Sequence, residues 1–202
     1  LERAMTELHM PGAMVFSNVN GEALSDGHFQ PVWQKADELG AVLYVHPIHP
    51  VGVEAMTDYW LMPLVGFLSD TTLAAAKLVF SGTVQRYPNI RWALAHLGGA
   101  IPYIAERLDR GFHAFPECRE HLDCPPSEYL RRFYYDTVNF DPRAVRVAID
   151  FAGADQILAG SDYPHRIGSI PRMLESIAAL DVSAEERSAI LGGNAAKLLR
   201  LA

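Results

Sequence analysis

The sequence predicts an α/β fold in which helices cover a parallel β-sheet. Five short runs, apolar almost throughout, alternate with longer stretches of helical periodicity. Runs without polar alternation are typical of parallel strands that are buried on both faces. The five predicted strands are Ala13 to Ser17, Ala41 to Val45, Arg91 to Ala95, Phe133 to Asp136, and Gln156 to Ala159. Their alternation with helices predicts successive βαβ units.

The helices between the strands carry start and stop signals. The helix that follows Asp26 is expected to end at Gly40, and the long helix that follows Asp70 is expected to end before Pro88. The predicted N-caps are Asp26, Asp70, Asp141 (followed by Pro142) and Ser183 (with Glu186 as its capping-box partner). Neither a flexible linker nor an internal repeat divides the chain, so we expect one domain.

Composition limits the possible partners. The chain has 202 residues, of which half are apolar, and a formal net charge of −7. Its 17 Lys and Arg residues are scattered, so a nucleic-acid partner is not expected. We find no run of about 18 apolar residues, so a membrane partner is not expected either. The two cysteines, Cys118 and Cys124, lie in a Pro-rich loop and are predicted to be free thiols in a reducing cytoplasm.

Polar side chains stand at the ends of four predicted strands. His46, His96, Asp136 and Asp162 occupy these positions. The carboxyl ends of parallel strands meet at one edge of the sheet, so these groups are expected to come together. Imidazole and carboxylate groups bind zinc and similar divalent ions, and they also serve as general acids and bases. A metal-dependent or acid–base site is therefore predicted at this edge, with Asp136 in a supporting or structural role.

The same positions favour a barrel over an open doubly wound sheet. An open sheet of that kind normally has a glycine-rich phosphate loop after its first strand, and residues 18–21, Asn-Val-Asn-Gly, do not form one. A barrel places its functional residues at the carboxyl ends of several strands. Gly98 and Gly99, which follow His96, are compatible with a tight turn or with a ligand that approaches the backbone.

Three motifs resemble those of a known enzyme superfamily. They are the stretch from His46 through Tyr59-Trp60 and Pro63-Leu64-Val65-Gly66, then His96-Leu97-Gly98-Gly99-Ala100, and Gly160-Ser161-Asp162-Tyr163-Pro164. His46 and His96 are 50 residues apart, and Asp162 follows after 66 more. In order and spacing these motifs resemble the metal-dependent amidohydrolase superfamily. Within it, they resemble the branch of aminocarboxymuconate-semialdehyde decarboxylase and related non-oxidative decarboxylases.

The resemblance implies a metal centre and a catalytic histidine. It implies that His46 and Asp162 are metal ligands and that His96 is the general acid/base. Asp162 would also be a proton carrier. The cofactor would be a divalent metal ion, with zinc expected first.

The resemblance also implies residues that contact a small carboxylate substrate. Arg107, eleven residues after His96, would pair with a substrate carboxylate, in some members from the neighbouring subunit, so a homodimer is expected. Trp60 would lie near the substrate. His165 occupies a pocket position that is Phe in aminocarboxymuconate-semialdehyde decarboxylase, which leaves the substrate open.

The implied fold is a (β/α)8 TIM barrel of the metal-dependent hydrolase type, and here it is expected to be incomplete. A full barrel has eight strands in about 250 residues, whereas the five predicted strands would be barrel strands four to eight. The superfamily's His-x-His metal-binding pair does not occur in these 202 residues. Residues 1–202 are therefore interpreted as the C-terminal part of a single barrel domain. With only His46 and Asp162 as protein ligands, the chain alone is expected to hold zinc poorly.

Three functions remain open from the sequence. The first is a metal-dependent non-oxidative decarboxylase of a small carboxylic acid, of the carboxymuconate semialdehyde or hydroxybenzoate type. The second is a hydrolase or hydratase of the same superfamily that acts on a ring-cleavage product. The third is a non-catalytic fragment that keeps the fold but binds no metal.

Overall fold

The main sheet has five parallel strands, and each lies where the sequence predicts one. The structure is a computed structural model that describes residues 1–201. The strands are β1 (Gly12–Phe16), β2 (Asn18–Val19), β3 (Glu22–Ala23), β4 (Val42–His46), β5 (Arg91–Leu94), β6 (Tyr134–Asp136) and β7 (Ile157–Leu158). The sheet order is β1-β4-β5-β6-β7, and every neighbouring pair is parallel. The small antiparallel β2–β3 hairpin was not predicted.

Helices occupy the connections between the parallel strands, and further helices precede β1 and follow β7. They are α1 (Glu2–Thr6), α2 (Gln30–Leu39), α3 (Phe67–Phe80), α4 (Thr83–Arg86), α5 (Ile101–Ala114), α6 (Pro126–Leu130), α7 (Pro142–Ala152), α8 (Ile170–Ala178), α9 (Ala184–Ser188) and α10 (Asn194–Leu198). Strands that follow one another in sequence are also neighbours in the sheet, as in a (β/α) barrel. The predicted fold class is confirmed.

The core lies between the sheet and these helices. Side chains alternate between the two faces of a strand, and one face carries large apolar residues that are almost inaccessible to solvent. Its fully buried members are Leu43, Val45, Trp92, Leu94, Tyr135 and Ile157. The opposite, inner face carries Tyr44 and His46 in β4, and this face leads to the candidate site.

One strand departs from the prediction that all five are buried on both faces. In β1 the side chains of Met14 and Phe16 are 59% and 41% exposed. Within residues 1–201, β1 is an edge strand of the five-stranded sheet and pairs with β4 alone. The apolar side chains of Met14 and Phe16 therefore lie on the inner face of the sheet, which the described residues leave open to solvent.

The predicted N-cap at Asp70 is wrong. Asp70 lies inside α3 and is buried, where its carboxylate accepts hydrogen bonds from the Ser17 hydroxyl and, at 2.9 Å, from Asn18 Nδ2. The helix also ends earlier than predicted, at Phe80, and Gly82 (φ 72°) separates it from α4. An Asp near the start of an apolar helix has the same sequence signature whether it caps the helix or binds another element.

The other predicted caps are confirmed. Asp141 accepts a hydrogen bond from the backbone N–H of Arg143, and Ser183 forms a capping box with Glu186. Asp26 caps a short helical turn directly before α2, and α2 ends at Gly40 in the left-handed conformation. These local signals identify helix ends because they satisfy backbone groups that lack partners inside the helix.

One helical stretch is long and apolar. Residues Met62–Phe80, a π-helical turn followed by α3, form 19 helical residues with mean hydropathy 1.3, enough by length and composition to cross a membrane. One side of α3, including Thr71, Ala75 and Leu78, is fully buried in the protein core. Core helices of soluble proteins have this same property, so the absence of a membrane partner stays a prediction.

Candidate metal centre

Three predicted site residues come together at the carboxyl end of the sheet. His46, His96 and Asp162 each offer one ligand atom, and these atoms all lie within 4.8 Å of one another. The rings of His46 and His96 have centroids 5.1 Å apart, and His96 Nε2 lies 4.0 Å from Asp162 Oδ1. The cluster draws on three different strand ends, as expected for a barrel site.

His46 is held in one tautomer by its own loop. It is the last residue of β4, and its Nδ1 lies 2.7 Å from the carbonyl oxygen of Pro47. A carbonyl oxygen can only accept a hydrogen bond, so Nδ1 carries the proton. In the neutral tautomer Nε2 then has the free lone pair, which is the arrangement found in metal-ligating histidines.

His96 is the most buried member of the cluster. It lies two residues after the end of β5, and the Phe67 ring stacks against it with centroids 6.1 Å apart. Burial lowers the pKa of the His96 imidazole; the Asp136 and Asp162 carboxylates oppose this shift, and His46 adds to it. The ring is therefore neutral at neutral pH, with a lone pair for a metal ion or a proton. Phe67, which also contacts the His46 ring, was not predicted, and one apolar residue in an apolar helix gives no sequence signal for such a role.

Asp162 is fixed by a compact loop after β7. The residue has a positive φ of 52°, and its carbonyl oxygen accepts a hydrogen bond from the backbone N–H of His165 at 2.9 Å. The loop closes where the N–H of Ser169 donates to the Ser161 carbonyl at 2.7 Å. Gly168 packs so closely that a Cβ there would lie 2.1 Å from the carbonyl oxygen of Asp162.

The donor set fits a divalent metal ion. Two imidazoles and one carboxylate are ligands of the type that bind zinc and related ions. The buried Nδ1 of His96 has no hydrogen-bond partner among the described residues. No protein hydrogen bond at Nδ1 therefore fixes the tautomer of this ring. His46 and Asp162 would be ligands, and His96 lies close enough to act beside them or as a third donor.

The three predicted substrate residues are not part of this cluster. Arg107, Trp60 and His165 are all exposed, and Trp60 is 72% exposed. Arg107 lies on α5, and no described residue forms an ion pair with it. His165 is near enough to affect the His96 pKa. Their roles in substrate binding stay predictions.

The glycines after His96 form a tight turn that packs closely against α3. Gly98 and Gly99 have φ values of 72° and 61°. A Cβ on Gly99 would lie 2.2 Å from the carbonyl oxygen of Leu68, and one on Gly98 would lie 2.5 Å from the Tyr135 ring. The first of the two sequence interpretations, a tight turn, thus accounts for both residues.

Replacing Gly168 with alanine is expected to weaken metal binding about 10- to 100-fold, the range seen when groups that support metal ligands are lost. The added methyl group would push the Asp162 carbonyl away and move its carboxylate. The measurement is a titration with zinc or manganese, with Gly192→Ala as control. Apart from its own helical turn, a Cβ at Gly192 meets no atom of residues 1–201 within 4 Å. Equal metal affinity in the two variants would contradict the assignment of Asp162.

The fold and the cluster together define a class. A sequential parallel α/β sheet with His, His and Asp converging at its carboxyl edge is characteristic of metal-dependent hydrolase-type barrels. The family model described as "Amidohydrolase" matches residues 1–201. The chain therefore belongs to the amidohydrolase family, and the resemblance seen in the sequence is confirmed.

Individual relatives are decarboxylases. The chain is 35% identical to 2-amino-3-carboxymuconate-6-semialdehyde decarboxylase from Dictyostelium discoideum, over 100% of this chain and 56% of that protein. The structure matches 5-carboxyvanillate decarboxylase from Sphingomonas paucimobilis with a TM-score of 0.92 and 29% identity, over 100% of this chain and 62% of that one. It also matches dihydroxybenzoic acid decarboxylase from Polaromonas sp. JS666, with bound manganese and 2-nitroresorcinol, with a TM-score of 0.86 and 27% identity, over 99% and 64% of the two chains. The chain thus spans about three fifths of the length of these relatives.

Proposed function

We propose that the protein that contains this chain is a metal-dependent non-oxidative decarboxylase of a small carboxylic acid. The observation that carries the proposal is the convergence of His46, His96 and Asp162 within 4.8 Å. The relatives support the substrate class, since they are named for carboxymuconate semialdehyde, carboxyvanillate and dihydroxybenzoic acid. The substrate is thus an acid of the carboxymuconate semialdehyde or hydroxybenzoate type.

Non-oxidative decarboxylation requires a proton donor and a site that holds the substrate carboxylate. A proton is added to the carbon that bears the carboxylate, the bond between that carbon and the carboxylate breaks, and its electron pair restores the unsaturated system as CO2 leaves. The imidazole of His96, neutral before the reaction, is suited to take up a proton from water at Nε2 and to donate it to this carbon, which returns the ring to its neutral form. The Asp162 carboxylate, 4.0 Å away, is suited to exchange a proton with it.

In this proposal His46 and Asp162 are the protein ligands of a divalent metal ion. When bound, a divalent ion supplies Lewis acidity that polarises oxygen atoms of the substrate. Zinc is the ion we expect, although manganese is the ion named for the Polaromonas structure. The Pro47 carbonyl, by fixing the tautomer of His46, keeps Nε2 available for it.

Arg107 and Trp60 complete the proposal as substrate contacts. Arg107 is exposed on α5 and has a guanidinium group that can bind a carboxylate in a bidentate manner. Its exposure is consistent with a role in the site of a neighbouring subunit, so we propose a homodimer. Trp60 would lie against the substrate ring, and His165 would distinguish this site from that of aminocarboxymuconate-semialdehyde decarboxylase.

The proposal is tested by product analysis of the natural polypeptide that carries this chain. The candidate acids are 5-carboxyvanillate, 2,6-dihydroxybenzoate and 2-amino-3-carboxymuconate semialdehyde. The expected result is metal-dependent release of one CO2 per substrate, with one deuterium on the vacated carbon when the reaction runs in D2O. A hydrolysed or hydrated product without CO2 would instead indicate the hydrolase or hydratase function. Failure to bind any metal would indicate a non-catalytic protein.

A further inference from the structure

We infer that Asp136 is a positioning residue for His96, whose backbone it clamps in a left-handed turn that brings the imidazole to His46 and Asp162. The kinetic part of this inference rests on the proposed function, whereas its structural part does not. Asp136 ends β6 and is only 3% exposed, although no described cation forms an ion pair with it.

The backbone at His96 adopts an unusual conformation. His96 and the next residue, Leu97, have φ values of 55° and 57°. Two successive non-glycine residues in the left-handed region are disfavoured, because their Cβ atoms approach the following carbonyl oxygen. Such a pair persists only when the surrounding structure holds it.

The carboxylate of Asp136 stabilises this turn by accepting hydrogen bonds from it. Its Oδ2 accepts the backbone N–H of His96 at 3.1 Å, and its Oδ1 accepts the N–H of Leu97 at 3.0 Å. It also accepts the N–H of Val138 at 2.9 Å and the hydroxyl of Tyr44 at 2.6 Å. Hydrogen bonds to an ionised acceptor are about twice as strong as neutral ones. Four donors therefore converge on one buried anion, and two of them belong to the left-handed pair.

The turn decides which face of the sheet His96 reaches. Tyr44 pairs with Ala93 and Val45 pairs with Leu94, so Ala93 shares the inner face of the sheet with Tyr44. Alternation along an extended strand would place residue 96 with Leu94, on the opposite face under the helices. The ring of His96 instead lies beside that of His46, which is on the inner face. The left-handed turn after Ala95 accounts for the difference.

Asp136 acts through His96 and not on the substrate. Both of its oxygens are occupied by N–H and O–H donors, and it is not one of the three residues whose ligand atoms converge. It reaches His96 from 40 positions away in the sequence. The role of this carboxylate is therefore to fix the geometry of the imidazole.

The decisive variant is Asp136→Asn, which keeps the size of the side chain. An amide has a single oxygen, and its NH2 group cannot accept a hydrogen bond. In either orientation of the amide, the N–H of His96 or of Leu97 faces another donor. The matched control is Asp155→Asn, the same chemical change at an exposed residue.

In the natural polypeptide, kcat for CO2 release is expected to fall about 30-fold in Asp136→Asn, equivalent to about 2 kcal/mol. KM and metal content should stay within about threefold. Asp155→Asn should leave all three unchanged. An unchanged kcat in Asp136→Asn would overturn the inference, and so would a loss confined to KM.

Amide hydrogen exchange tests the clamp without reference to activity. In the parent protein the amides of His96, Leu97 and Val138 should exchange slowly, and in Asp136→Asn exchange should accelerate at His96 or Leu97 while the strand amides stay protected. Fast exchange at His96 and Leu97 in the parent would refute the clamp even if the variant could not be folded. Local acceleration without any decarboxylase activity in the parent would retain the clamp and reject the proposed function.

Discussion

Replacing His96 with glutamine is expected to reduce turnover by about 10²- to 10⁴-fold, the usual contribution of a positioned general acid or base. Glutamine approximates the reach of the imidazole and can form hydrogen bonds, but it cannot take up and release a proton near neutral pH. The measurement is kcat for CO2 release by the natural polypeptide, together with its metal content. We expect the metal to stay bound, because His46 and Asp162 are the proposed ligands.

The control for this variant is His113→Gln. His113 is exposed on α5, so the same substitution there should change neither turnover nor metal content. Turnover of His96→Gln within tenfold of the parent would reject the acid/base role. A proportional loss of metal and activity would make His96 a ligand, which its distance to Asp162 also permits.

Replacing His46 with alanine is expected to abolish both metal binding and turnover. The side chain contributes the nitrogen that its hydrogen bond to the Pro47 carbonyl leaves free. His46 is one of the two proposed ligands in the cluster of the described residues, so its loss removes a large share of the binding energy. Added zinc or manganese should not restore activity, whereas the parent protein stripped with a chelator should recover on the same addition.

His49→Ala is the matched control for this second variant. His49 is exposed and lies three positions further along the same loop. Its backbone carbonyl accepts a hydrogen bond from Asn18 Nδ2 at 2.9 Å, and its side chain has no hydrogen-bond partner in the described part of the chain. Normal metal content is expected in His49→Ala. Stoichiometric metal in His46→Ala would show that His46 is not a ligand and would point to His96 as the ligand beside Asp162.

Most of the fold could be predicted because its signals are local. The apolar runs at β4 and β5 indicate buried strands wherever they occur in the chain, and capping groups such as Ser183 and Asp141 satisfy backbone N–H groups only a few residues away. The failures concern residues whose role depends on distant partners. The local pattern around Asp70 predicted a helix cap. Its actual partners, Ser17 and Asn18, lie more than 50 positions away and give no local signal.

The sequence by itself determined the order of the strands and the chemical identity of the groups at their carboxyl ends. Parallel strands that are neighbours in both sequence and space bring those ends to one edge, so His46, His96, Asp136 and Asp162 could be grouped from the sequence. The ligand atoms of His46, His96 and Asp162 do converge. Only the tertiary structure decided how they face one another. Strand alternation alone would turn residue 96 away from His46. The left-handed turn that prevents this depends on hydrogen bonds that the backbone N–H groups of His96 and Leu97 donate to the Asp136 carboxylate. Long-range contacts of this kind leave no periodicity in a single sequence, because their energy comes from two segments that meet only after the chain has folded.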